Sequence, residues 1–152
     1  MKEDLLKQYN QNLNLNNLEN GQSDCGEEIE DGKKRILVVD DSALVLRNIK
    51  AMLEPKYKVF VATSGEQALK FIPEKKPNLV LLDYEMPEMN GKETFEKIKA
   101  DEMSKDLPVI FLTGVDDKEH IFAVLQLNPA GYFLKPPTRS KLLDAIEKAL
   151  SI

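Results

Sequence analysis

Five alternations of a short apolar run with an amphipathic stretch predict an α/β fold, a parallel sheet with helices on both faces. Two further observations place its working edge. The runs Ile36–Val39 and Leu79–Leu82 are apolar without alternation, as in strands covered on both sides. Each ends abruptly in acid, at Asp40-Asp41 and at Asp83, which delivers carboxylates to the rim where open α/β sheets hold their ligands. An acid there can also do no more than end a strand and begin a turn.

The elements follow in order from residue 34. After Asp40-Asp41, residues 42–54 show helical spacing with Val45, Ile49, Met52 and Leu53 on one side, and Pro55 stops them. Residues 57–61 alternate, as in a strand at or near a sheet edge. Ser64-Gly65-Glu66 opens a helix bearing Ala68, Leu69 and Ile72, with Pro73 as its expected end. The Leu79–Leu82 strand and a loop to Gly91 lead into a helix over 92–100, Phe95 and Ile98 facing inward. A fourth strand spans 108–112 and ends at Thr113-Gly114. A helix over 117–126 carries Ile121, Val124 and Leu125. The fifth strand, 132–134, runs into Lys135-Pro136-Pro137, and Thr138 caps a last helix with Leu142, Leu143, Ile146 and Leu150. Right-handed crossovers then favour a flavodoxin-like three-layer sandwich, five helices around five strands in the order 2-1-3-4-5.

That order makes strands 1, 3, 4 and 5 contiguous, so Asp40, Asp41, Asp83, Thr113 and Lys135 converge on one crevice. Crowded carboxylates repel. A divalent cation and the Lys135 ammonium are the available remedies, and a set of few oxygen ligands suits Mg²⁺ rather than zinc. A carboxylate beside such an ion can attack phosphorus. Mg²⁺, Lys135 and the Thr113 hydroxyl would each hold one equatorial oxygen of the transferring group. Singly, each residue has a plainer reading: Asp41 as a helix cap, Thr113 as a turn residue, Lys135 as a solvated amine, His120 as a surface side chain.

Composition excludes much else. The 152 residues suit one ordinary domain, and no apolar run reaches membrane length. Cys25 is the sole cysteine and there is no signal-type N-terminus, so a cytoplasmic setting is expected. Residues 1–33 hold three lysines against eight acids, the whole net charge of -5; the rest is balanced, without the basic stripe of a nucleic-acid binder. That Asn-rich, acidic stretch reads as a poorly ordered tail or linker, with a weak amphipathic helix or partner-docking segment as the alternative.

From Lys34 to Leu150 these motifs resemble the receiver domain of two-component response regulators. The residues that carry the likeness are Ile36-Leu37-Val38-Val39-Asp40-Asp41-Ser42, Leu79 through Pro87 with Asn90-Gly91, Thr113-Gly114, and Tyr132 through Lys135-Pro136. The resemblance implies that Asp83 accepts a phosphoryl group from a sensor histidine kinase or histidine phosphotransfer protein. It implies Mg²⁺ bound by Asp41, Asp83 and the main-chain carbonyl of Glu85, with Asp40 acting partly through water. It makes Thr113 and Tyr132 switch residues that remodel a surface of the fourth helix, fifth strand and fifth helix, for a downstream protein or a homodimer. The Lys135–Pro136 peptide is expected cis.

Lys92, Asn128-Pro129-Ala130-Gly131 and Pro137 depart from the family pattern, and Glu85 and Val115 occupy positions that tune phosphoryl lifetime. The expected activity is signalling, not enzymatic turnover, with no output domain after Ile152. Three alternatives stand beside it: a fragment of a hybrid signalling protein, a non-phosphorylated binding module of the same fold, and a haloacid-dehalogenase-type phosphatase with Glu85 as second acid.

Overall fold

The computed structural model describes residues 32–114 and 118–151, the side chains of 118–120 excepted. The expectations for residues 1–31, Cys25, Val115 and the His120 side chain lie outside the described residues.

Strands β1 (Arg35–Val39), β2 (Lys58–Ala62), β3 (Leu79–Asp83), β4 (Val109–Thr113) and β5 (Gly131–Leu134) form one parallel sheet in the order β2-β1-β3-β4-β5. This is the order expected from the alternation. Helices α1 (Ala43–Leu53), α2 (Gly65–Lys75), α3 (Gly91–Ala100), α4 (Lys118–Gln126) and α5 (Arg139–Leu150) supply the crossovers.

The unbroken apolar runs have a simple cause. Alternate residues of β1, β3 and β4 point into two separate cores. Leu37, Val39, Val80, Leu82 and Phe111 meet Ile72, Phe95, Ile98 and Val124 under α2, α3 and α4. Ile36, Val38, Leu79, Leu81 and Leu112 meet Leu46, Ile49, Leu142 and Ile146 under α1 and α5. The edge strand β2 is less covered, as its alternation foretold.

Four details differ from the expected pattern. Pro73 stands inside α2 without ending it, although its ring crowds the carbonyl one turn back and it has no N–H to give. Lys76 still donates to the Ile72 carbonyl at 2.9 Å and closes the helix at φ 50°. Ser42, not Asp41, caps α1, accepting the Val45 N–H at 3.3 Å. Thr138 holds the cap position of α5 without a side-chain bond. Leu125 belongs to no core: it and Phe122 are exposed, 50% and 66%, while Val124 alone of that stretch is fully buried.

Candidate functional site

Since β1, β3, β4 and β5 are consecutive neighbours running the same way, their C-terminal residues share one edge. Asp40 follows β1, Asp83 and Thr113 end β3 and β4, and Lys135 follows β5. Asp40 and Asp83 are buried at 0% and 2% exposure, and both face the same amine. Lys135 Nζ lies 2.8 Å from Asp40 Oδ2 and 2.9 Å from Asp83 Oδ1. Asp41 is exposed, yet oxygens of Asp40, Asp41 and Asp83 all lie within 4.8 Å of one another.

Local structure holds each group. Asp40 Oδ1 accepts the Ser42 N–H at 2.9 Å, where the chain turns into α1. Among the described residues Asp40 Oδ2 meets only the Lys135 ammonium, so lone pairs of this buried carboxylate stay available. Lys135 N–H donates to the Thr113 carbonyl at 2.8 Å, and the Lys135–Pro136 peptide is cis, as expected. The Glu85 N–H donates to the Asp83 carboxylate, while the Glu85 side chain stays exposed.

Burial pushes the Asp83 carboxyl up from 3.8 to about 7, with repulsion from Asp40 adding to it. Lys135 and the Glu85 N–H pull it down without restoring the ordinary value. Burial also depresses the Lys135 ammonium, but bonding to Asp40 and Asp83 outweighs this and its pKa ends up raised. Three carboxylates against one ammonium leave negative charge in excess. Oxygen-only donors, one with an unclaimed buried lone pair, fit a hard divalent cation such as Mg²⁺.

The two predicted switch residues lie on β4 and β5. The Thr113 hydroxyl, buried, donates to the Phe133 carbonyl at 3.3 Å. Tyr132 lies on β5 at 38% exposure, turned to solvent. The departures from pattern have structural outcomes too: Lys92 is exposed and Pro137 is buried.

Gly91, quoted above only as part of the family likeness, has a positioning role that the sequence did not reveal. A Cβ there would lie 2.6 Å from both the Asp83 carbonyl oxygen and Tyr84 Cα. Its N–H donates to the Tyr84 carbonyl at 2.7 Å, so α3 starts directly against the end of β3. Asn90 and Glu93 form a reciprocal capping box at 2.9 and 3.0 Å, whose Asn-x-x-Glu spacing was the available signal.

The model of the response regulator receiver domain matches residues 36–147. The chain is 38% identical over 126 residues to the protein-glutamate methylesterase/protein-glutamine glutaminase of Trichodesmium erythraeum, covering 78% of this chain and 35% of that one. It is 32% identical over 118 residues to the phosphate regulon transcriptional regulatory protein PhoB of Pseudomonas aeruginosa, with 77% and 52% covered. It thus spans about a third and a half of these relatives' lengths. A response regulator receiver domain protein from Clostridium thermocellum superposes with TM-score 0.71 at 30% identity, over 78% of this chain and 94% of that one. The N-terminal domain of a response regulator receiver protein from Methanoculleus marisnigri does so with TM-score 0.59 at 39% identity, over 78% and 97%. With five parallel strands in the expected order and residues 36–147 matched throughout, the chain belongs to the response regulator receiver domain family.

Proposed function

We propose that residues 34–152 form a phosphorelay module that takes a phosphoryl group on Asp83 from a sensor histidine kinase or histidine phosphotransfer protein. One observation supports this above the rest: the Lys135 ammonium bridges the buried carboxylates of Asp40 and Asp83 at the strand ends. An ionised Asp83 oxygen attacks phosphorus, the P–N bond of the donor phosphohistidine breaks with its electron pair leaving on the imidazole, and an acyl phosphate forms. Lys135 neutralises one equatorial oxygen and the Thr113 hydroxyl meets another. Asp41, Asp83 and the Glu85 main-chain carbonyl would hold Mg²⁺, with Asp40 partly through water; the ion supplies charge neutralisation for the transferred group.

In this reading Thr113 moves toward the phosphoryl group and Tyr132 turns inward behind it. The surface so remodelled joins α4, β5 and α5, where Phe122, Leu125, Tyr132 and Leu134 expose apolar area to a downstream protein or a second copy. Residues 1–33 serve as its tail or linker, in the cytoplasm. No helix of the described residues is long and apolar enough to cross a membrane. The module signals and does not turn over substrate. Methylesterase activity belongs to the Trichodesmium protein, of which this chain matches 35%.

Incubation with acetyl phosphate and Mg²⁺ tests this. Wild type gains one hydroxylamine-labile phosphoryl group and Asp83→Asn gains none. An unlabelled wild type, or equal labelling of both, overturns the assignment. The greater length of the curated relatives favours a second reading, one receiver module within a multidomain signalling protein, which the natural reading frame on either side decides.

A further inference from the structure

Helices α2 and α3 are close at their N-terminal ends, where a Cβ on Gly65 would collide with Thr94 Oγ1. Between their C-terminal halves a cavity of about 590 Å³ opens. Leu69, Ile72 and Pro73 of α2 and Leu107 ahead of β4 give it apolar walls, and Met103 stands at its edge, 90% exposed. Size and lining are those of a small-molecule pocket.

Its charges point to the ligand's chemistry. Lys76 and Lys97 line it, and neither has an ion-pair partner among the described residues. The third charged lining residue, Asp101, has Oδ1 engaged by the Met103 N–H at 2.9 Å. Two ammoniums against one carboxylate leave a single positive charge in excess. Lys76 is also the left-handed residue that closes α2, at φ 50°, where glycine or asparagine is usual. A lysine kept in that conformation is a strained choice of the kind found at binding sites.

We propose that this cavity binds an amphipathic monoanion, its carboxylate paired with Lys76 and Lys97 and its aliphatic or aromatic body against Leu69, Ile72 and Leu107. The pocket is separate from the carboxylate cluster. Gly91 starts α3 beside Asp83, and the cavity lies toward the other end of that helix, whose ten residues span roughly 15 Å.

Decanoate below its micelle threshold is the probe, titrated into the full chain and followed by backbone amide NMR. Saturable shifts are expected for residues 69–77 and 97–107, and decanol should bind about threefold or more weakly, the scale of an exposed charge pair. Lys97→Gln and Lys76→Gly should each weaken decanoate by a similar factor. Lys76→Gly should melt no lower than wild type, because glycine suits the left-handed cap, which separates lost binding from lost folding. Asp83→Asn should bind decanoate as wild type does, so this result stands apart from the phosphoryl assignment. Absent or non-saturating shifts, equal affinity for decanol, or unaltered binding in both lysine variants overturns the proposal.

Discussion

Removing Lys135 would leave the buried carboxylates of Asp40 and Asp83 facing each other without their counter-ion. Lys135→Met should therefore destabilise the metal-free protein by about 3 kcal/mol near pH 8, the low end for a buried pair deprived of one partner, since the Lys135 side chain is 24% exposed. Below about pH 7 the loss should shrink, because Asp83 then carries a proton. Urea unfolding at both pH values checks this. Asp40, Asp83, Thr113 and Lys135 were legible in the sequence because an apolar run breaks into polar residues where a strand leaves the core. The contrast between Asp40, fully buried, and Asp41, exposed, was not. Two adjacent identical letters carry no sign of which one the helix entry turns inward, and that depended on the Ser42 N–H holding Asp40.

The junction of β3 with α3 depends on Gly91 having no side chain. Gly91→Ala would force a methyl against backbone atoms at 2.6 Å, which only a shift of the strand end or the helix start can relieve. It should cost about 1–3 kcal/mol, as overpacking does. It should also slow labelling by acetyl phosphate, because the displaced carbonyl is that of Asp83. Melting temperature and labelling rate, measured on one preparation, test both parts. Periodicity identified all five helices but not their limits or every face. α2 continues through Pro73 because its neighbours' hydrogen bonds persist, a matter of backbone geometry. Apolar spacing grouped Leu125 with Val124, yet only Val124 is buried, because an apolar residue reports that it avoids water and not which surface covers it.

For the molecule as a whole, the uneven proton affinity of Asp83 becomes a pH dependence of stability. Folded, it titrates near pH 7; unfolded, near 3.8. Between those values the folded state holds more protons, so metal-free stability should fall as pH rises from about 4 to about 7, by up to about 1.4 kcal/mol per unit. Asp83→Asn should lose that slope and exceed wild type near pH 7.5 in EDTA. Mg²⁺ favours the ionised carboxylate, so it should stabilise wild type more near pH 8 than near pH 5.5; thermal unfolding in both buffers gives the answer. Sheet order could be read from alternation and handedness, but this titration could not, since it depends on burial depth. One further consequence lies in the Thr113 hydroxyl, which has a single proton to give. That proton goes to the Phe133 carbonyl across 3.3 Å, a long and easily exchanged bond. Any oxygen entering the crevice that claims it must take it from β5, at the residue beside Tyr132. Under the proposed function, a group bound in the carboxylate crevice would reach β5 by loosening this cross-strand tie.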